Sequence, residues 1–520
     1  HYVRGSCIYG LMPANGLLYK PPDSCACHYQ SKVTHFCALA PGKSQSKGEL
    51  SDVRRLEKGR AYGAAQGQSA RANDDWPQYR HDSARSGGTA AHVPTKLRQK
   101  WKANIGGKLS AVTVAGGRAF VAAIETHTLH ALDTGSGKTA WAYTAGGRID
   151  SAPTIYKGTV VFGSADGWVY CLRASDGELA WRYRAAPGPD KLPSRQQIES
   201  LWPVHGSVLI WKDVAYCLAG RNMFFDGGMR LVLLDPATGA KISETILNEI
   251  DPETGLNLQT KMPGKAMPVA TPDILSCDGR YIYMGAQKFD FEGKRIDIDA
   301  PRDKEKTQVG DGRHLFCPTG FLDDNWFHRS YMMYGLTGGE GHGEYTTPPN
   351  ITPAGRVLAL DRKRVYGFRA AVYNNTMQPR PYHFLFAADR NDPQLEENSQ
   401  PARQTKVSYR WTADRPALLV NTMVVAGGTI FIAGPPEIAD EEKGFGINME
   451  EDNEVTRSLA EQDRAWRGAK GAILQAVNKQ TGEKRAEYRL EHVPVFDGMA
   501  AAEGSLFIPL KDGTVVCMGE

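Results

Sequence analysis

The chain has 520 residues, 41% apolar side chains, 55 glycines and 30 prolines, which suits one large turn-rich domain or several small ones. Lys and Arg total 62 against 58 Asp and Glu, a net charge of +4, so the balance gives no support for a nucleic-acid binder. No run of 18 apolar residues occurs, and no membrane span is expected.

The chain starts at His1 without an apolar signal segment and is expected to be a processed or fragmentary product, part of a larger protein or assembly. Of its nine cysteines, Cys7, Cys25, Cys27 and Cys37 crowd a Cys-rich N-terminal segment, residues 1–41. Little else there could build a core, so disulfides in an oxidising compartment are expected, periplasmic or extracellular, with a zinc site as the rival. Cys25-Ala26-Cys27-His28 lacks the two-residue gap of a haem attachment sequence. The other five cysteines fall in predicted strands and read as buried, inert thiols. Residues 42–74 are polar and read as a linker or surface arm, with helix potential only from Leu50 to Ala64.

From Asp75 onward the pattern is β. Ala131-Leu132-Asp133-Thr134-Gly135-Ser136-Gly137-Lys138 precedes Trp141, and Cys171-Leu172-Arg173-Ala174-Ser175-Asp176-Gly177-Glu178 precedes Trp181. Gly137 and Gly177 are 40 residues apart, as are the two tryptophans. A period near 40 with strands and glycine turns predicts propeller blades, and seven or eight of them would take about 280 to 400 residues.

Apolar strand pairs with tight turns mark the first hairpin of successive blades. The turns are Gly116-Gly117, Lys157-Gly158, Lys212-Asp213, Asp278-Gly279, Gly427-Gly428 and Glu503-Gly504. Third strands are expected to end at Leu132, Leu172, Leu234, Leu360, Val477 and Met518. Three blades are irregular, around 266–299, 314–361 and 364–412. The fold class is all-β: a single propeller of about eight four-stranded blades over 75–520, with seven as the alternative. Ring closure is expected to pair an early strand, near Leu97 to Trp101 or from residues 1–41, with the final blade, because closure removes sheet edges.

In such a ring the second-to-third loops and the loops between blades share one face. The long loops 185–200, 247–268, 300–313, 336–355 and 434–470 all fall there, and long loops in compact domains are usually functional. Candidate catalytic residues are His205, Arg221, His328, Arg329 and Tyr331. Candidate binding residues are His127, Arg148, Asp150, Glu199, Trp202, Asp226, His314, Trp326 and Asp497. Arg can neutralise an acidic group while His or Tyr takes and returns a proton, and Trp202, Trp326 and Phe224 could stack on sugar rings. Structural readings stand beside these: His127 bonding a neighbouring backbone, Asp166-Gly167 as a turn, His205 as a packed channel histidine. No metalloprotease, nucleophile-elbow, phosphate-loop or dinucleotide fingerprint sits in a fitting context, and no metal site is assigned.

Asp75-Trp76-Pro77-Gln78-Tyr79-Arg80, the Trp141 and Trp181 repeats, Ser164 to Tyr170, Trp202 to Ser207 and Phe496 to Ala500 resemble the PQQ-like, or quinoprotein alcohol dehydrogenase-like, β-propeller repeat family, in a bacterial subgroup known as PQQ-binding-like repeat proteins. Tyr9 to Leu17 resembles the same subgroup, where further sequence precedes it. The resemblance covers almost everything except 42–74 and implies the fold more strongly than an activity. The family's dehydrogenases hold PQQ under a Cys-Cys disulfide, over a Trp floor, beside Ca²⁺. No Cys-Cys dipeptide occurs here, so PQQ with Ca²⁺ is disfavoured and no cofactor is assigned. The expected protein is an exported propeller whose long-loop face binds a glycan or protein ligand, acting on or binding acidic polysaccharide. A non-catalytic scaffold is the alternative and a quinone-dependent dehydrogenase the third.

Overall fold

The computed structural model describes residues 10–21, 36–40, 52–63, 74–258, 270–285, 287–296, 312–317, 319–324, 331–335, 352–370, 383–390, 395–397, 405–444 and 453–520. Eight sheets stand around a central axis, seven of them with four or more strands. Blade 1 runs from Thr113–Ala115 to Thr139–Thr144, blade 2 from Thr154–Tyr156 to Leu179–Arg184, and blade 3 from Leu209–Trp211 to Lys241–Leu247. Blade 4 runs from Ser276–Cys277 to Arg295–Ile296, and blade 5, with three strands among the described residues, from His314–Phe316 to Ala354–Gly355. Blade 6 spans Val357–Leu360 to Tyr409–Asp414, and blade 7 Thr422–Ala426 to Lys484–Leu490.

Blade 8 takes three strands from the end of the chain, Ala500–Ala502, Ser505–Pro509 and Thr514–Gly519. Its outer strand is the early segment Arg98–Asn104, antiparallel with Cys517 opposite Trp101. Closure therefore falls on the strand expected near Leu97 to Trp101. Inner strands of neighbouring blades lie side by side, including those of blades 8 and 1, so no inner edge is left open there.

The tryptophan repeat has a mechanical cause. Trp101, Trp141, Trp181 and Trp411 occupy fourth strands, and their indole N–H groups donate to the carbonyls of Thr134, Ala174, Pro236 and Lys479 in the next blade. Each ring lies on a turn glycine, Gly137, Gly177, Gly239 or Gly482. Gly137 and Gly177 have φ of +71° and +77°, and a Cβ on either would sit 2.6 Å from the ring. Only glycine meets both the left-handed backbone and the contact. Asp133 and Asp235 form the turns beside them, accepting backbone N–H bonds from Ser136 and from Ala237 and Thr238.

One blade boundary differs from the sequence expectation. Leu360 closes the first strand of blade 6, not the third strand of the blade before it. Val357 to Asp361 carries the apolar-then-Asp ending seen at Leu132-Asp133. Such an ending marks a strand running into an Asp-stabilised turn, here with Asp361 accepting from the N–H groups of Lys363 and Arg364. It does not say which strand of a blade it is.

Two segments before blade 1 also join the ring. Leu56–Lys58, inside the stretch read as a linker, adds a fifth strand to blade 2. There Arg55 is buried against Glu244 at 2.7 Å and donates to the carbonyls of Arg184 and Ala185. Residues 75–89 thread the axis. Trp76 bridges Val114 of blade 1, and the carbonyls of Pro77, Ser83, Ser86 and Gly87 accept from Ile155, Cys277, Leu360 and Val425 in blades 2, 4, 6 and 7. Tyr79 Oη and Arg80 Nη1 reach Asp497, before blade 8, at 2.8 and 2.5 Å. Arg85, fully buried, donates to the carbonyls of Leu275 and Tyr79, and burial pushes its guanidinium down to about 10. The axial channel is thus plugged by the chain itself. No described helix is long and apolar enough to cross a membrane.

Candidate functional site

The face opposite the first hairpins carries the polar clusters. Asp150 lies just before the first strand of blade 2 and His205 just before that of blade 3, so the radial repeat brings residues 55 apart into contact. His205 Nδ1 sits 2.7 Å from Asp150 Oδ2. When the ring is neutral, a bond there places its proton on Nδ1 and leaves Nε2 free to accept. Nε2 takes no hydrogen bond among the described residues, and the side chain is 18% exposed.

Behind the pair lies a buried charge relay. Arg148 Nε is 3.2 Å from Asp150 Oδ1, and Arg148 Nη1 is 2.8 Å from Glu199 Oε1, an ion pair whose angle falls outside hydrogen-bond geometry. Glu199 Oε2 accepts from Arg221 Nη2 at 2.6 Å, and the same nitrogen donates to the Ser200 carbonyl at 3.2 Å. Arg148 and Glu199 are closed to solvent, while Arg221 is 24% exposed and its Nη1 makes no bond among the described residues. Burial pushes the Asp150 carboxyl up, but the His205 bond and charge, with Arg148 and Arg195, outweigh it and hold the group well below the usual carboxylate range. The chain of ion pairs behind the imidazole thus holds more guanidinium groups (Arg148, Arg195 and Arg221) than carboxylates (Asp150 and Glu199), a balance that favours an anionic group nearby.

The expected loop 185–200 contains a hairpin, Lys191–Ser194 with Gln197–Ser200, that walls one side. Its Gln197 bonds His127 Nε2 at 2.7 Å and donates to the Glu125 carbonyl at 3.1 Å, tying the wall to blade 1. His127 thus anchors a side chain of this wall. Asp226 stands near Arg221; burial raises its carboxyl against that charge. The sheet of Met12–Ala14, Leu17–Lys20 and Cys37–Leu39 carries Cys37, whose thiol burial pushes up against the charges of Lys20 and Arg221.

Other sequence candidates fall elsewhere. Trp202 is 2% exposed and donates its N–H to the Asp226 carbonyl, so no face of the indole is open for stacking. His314 stacks on Tyr283 with ring centres 3.7 Å apart and bonds the Gly285 carbonyl; burial holds it neutral, down to about 4. Tyr331 packs with Phe316, Met333 and Ala354. Asp497 is spent on Tyr79 and Arg80. All four read as site residues because propeller loops carry them to the right face, whereas burial depends on neighbouring blades. Trp326, His328 and Arg329 lie outside the described residues, as do Cys7, Cys25 and Cys27. No disulfide joins the described cysteines, and Cys171, Cys217, Cys277, Cys317 and Cys517 are buried thiols.

A second polar cluster was not anticipated. Arg356, before blade 6, lies 5.2 Å over Trp466 and 4.8 Å over Phe496, and Lys511 lies 5.6 Å over Trp466. Trp466 ends the helix Glu454–Trp466 within the long loop of blade 7. Asn453 caps that helix by accepting from the Val455 and Thr456 N–H groups, an Asn-x-x-Thr signal that was legible in the sequence.

Residues 83–259 match the family described as "Outer membrane protein assembly factor BamB". Quinohemoprotein alcohol dehydrogenase ADH IIB of Pseudomonas putida is 27% identical over 126 residues, 20% of this chain but only 18% of that protein. The crystal structure of quinohemoprotein alcohol dehydrogenase from Comamonas testosteroni superposes with a TM-score of 0.53 at 15% identity, covering 89% of this chain and 84% of that one. With the blade repeat and the closed ring, these likenesses support a PQQ-like β-propeller, the repeat family being matched over residues 83–259 and the fold over most of the chain.

Proposed function

We propose that the long-loop face binds an acidic polysaccharide in an exported, periplasmic or extracellular, protein, and acts on it by acid–base chemistry at His205. The observation that carries this reading is the His205–Asp150 pair, with an unbonded Nε2, joined through Arg148 and Glu199 to the partly exposed Arg221. The carboxylate of a uronic residue would pair with Arg221 Nη1, which acidifies the proton on the neighbouring carbon. His205 Nε2 takes that proton, the carbon–oxygen bond to the next sugar breaks by elimination, and the imidazolium returns the proton to the departing oxygen. Asp150 holds the ring in place and stabilises its charged form.

The test is turnover of acidic polysaccharides, read as new unsaturated ends. His205→Ala and Arg221→Ala are each expected to lower turnover by about 10²- to 10⁴-fold, with unfolding temperature checked alongside. Full activity in both would sink the assignment. A non-catalytic scaffold is the second reading, favoured by the assembly factor named for residues 83–259. In that case the same variants weaken binding with no turnover to lose.

The dehydrogenase relatives raise quinone chemistry as a third reading, and the donor set can be tested against it. Asp150 and Glu199 are already committed to Arg148, His205 and Arg221. Among the described residues no group of three His, Cys, Asp or Glu could hold a metal ion, and no Cys-Cys pair exists. These residues do not fit a quinone with its calcium. An absorbance spectrum with metal analysis of the purified protein separates this reading: a near-stoichiometric quinone band with Ca²⁺ would establish a dehydrogenase instead.

A further inference from the structure

One carboxyl of the candidate site is left without a partner. Asp226 shares with Arg221 the loop between Val214–Ala219 and Met229–Leu234. Both are fastened to residues 200–202. Arg221 Nη2 donates to the Ser200 carbonyl at 3.2 Å, and the buried Trp202 donates its indole N–H to the Asp226 carbonyl at 3.0 Å. Asp226 has a φ of +55°, a left-handed conformation that Asp tolerates better than most side chains.

Asp150 and Glu199 are consumed by His205, Arg148 and Arg221. The Asp226 carboxyl enters no hydrogen bond or ion pair among the described residues. The residue is half-buried, and neither carboxyl oxygen is closed to solvent. Two charges act on it, Arg221 from its own loop and Asp190 from the loop 185–200. Burial raises its hold on a proton, Arg221 lowers it and Asp190 raises it, with a net upward effect.

The elimination proposed above must deliver a proton to the departing oxygen just after His205 has taken one from the neighbouring carbon. In a uronic residue the carboxylate and the departing oxygen sit on adjacent carbons. A carboxylate held by Arg221 Nη1 therefore brings that oxygen toward the group standing near Arg221. We propose that Asp226 is the proton donor to the departing oxygen, an assignment that rests on the His205 reading and takes over the second of its two transfers. The carbon–hydrogen bond breaks as its proton goes to His205 Nε2, and its electron pair becomes the new carbon–carbon double bond. The carbon–oxygen bond breaks with its pair on oxygen, which takes the Asp226 proton. His205 then loses a proton to water and Asp226 regains one, so the balance closes. The arriving carboxylate also helps to load the donor, because it offsets the charge of Arg221 and adds a like charge beside Asp226.

The test compares two substrates of the full chain: an acidic oligosaccharide, whose sugar oxygen needs a proton to leave, and a uronide bearing para-nitrophenolate at the same carbon, which leaves without one. Asp226→Asn suits the left-handed backbone and keeps the carbonyl that Trp202 bonds; an unchanged melting temperature confirms its fold. It is expected to lower turnover of the oligosaccharide by about 10²- to 10⁴-fold and that of the nitrophenyl compound only a few-fold, whereas His205→Ala loses both. Equal loss on both substrates, or no loss on either, would overturn the donor role alone while His205→Ala stays inactive. A fully active His205→Ala, or a parent inactive on both substrates, would overturn the donor role together with the reading beneath it.

Discussion

Asp273 shows how much a single side chain inherits from its place in the ring. It lies just before the first strand of blade 4, where Oδ1 accepts from the N–H groups of Ile274 and Phe321 at 2.7 and 3.0 Å. The residue as a whole is half-buried, yet its Oδ2 is shut off from solvent without a hydrogen bond. Burial pushes the carboxyl up to about 7, against those two bonds and the charge of Arg85. An acid whose folded pKa is raised holds its proton more tightly when folded. Its contribution is complete below the ordinary value near 4 and is lost as pH climbs through about 7. Asp273→Asn is therefore expected to be more stable than the parent at about pH 8, by roughly 1–3 kcal/mol. The difference should shrink and vanish toward about pH 4. Melting curves of both proteins across this range check it; parallel curves would show that Asp273 does not titrate there.

At the scale of elements, one blade is fastened to the next by an indole on a glycine. The sequence displays both partners, since Gly177 and Trp141 stand out by their spacing, but not that they touch each other across blades. Gly177→Ala forces a methyl to 2.6 Å from the Trp141 ring at a φ of +77° and is expected to cost about 1–3 kcal/mol from overpacking, with backbone strain added. Trp141→Phe loses the bond to the Ala174 carbonyl and is expected to cost about 1–3 kcal/mol. In denaturant titrations the double variant should cost less than the sum, because the smaller ring relieves the methyl. Strict additivity would mean that the two residues do not meet.

For the whole molecule, closure and the threaded segment impose cooperativity on eight otherwise similar sheets. Arg98–Asn104 joins the ends of the ring, and Arg80 with Asp497 locks the axis. Burial raises the Asp497 carboxyl while Arg80 pulls it back toward ionisation. Arg80→Met leaves that carboxyl buried without its countercharge, held only by the Tyr79 hydroxyl, and is expected to cost about 3–5 kcal/mol. Arg80→Met with Asp497→Leu should recover a good part of the loss, since an apolar pair can replace a buried ion pair with little penalty. Urea unfolding of the three variants measures this; a double variant as unstable as Arg80→Met alone would show that the cost lies in lost packing.

The amino-acid sequence by itself determined the blade period and the first hairpins with their turns, and it narrowed the closing strand to residues 1–41 or Leu97 to Trp101, between which the tertiary structure chose the latter. Each of these rests on local apolar alternation, turn chemistry or a repeat, which act over a few residues and leave a mark in the order of side chains. Tertiary structure alone decided that Leu360 begins a blade rather than ending one, and that Tyr79 and Arg80 plug the axis. It also decided which candidates meet: Asp150 with His205 and Arg148 with Glu199 face one another, while Trp202 and His314 turn inward. These outcomes depend on how neighbouring blades bury one another, a contact between segments distant in sequence that no local pattern records.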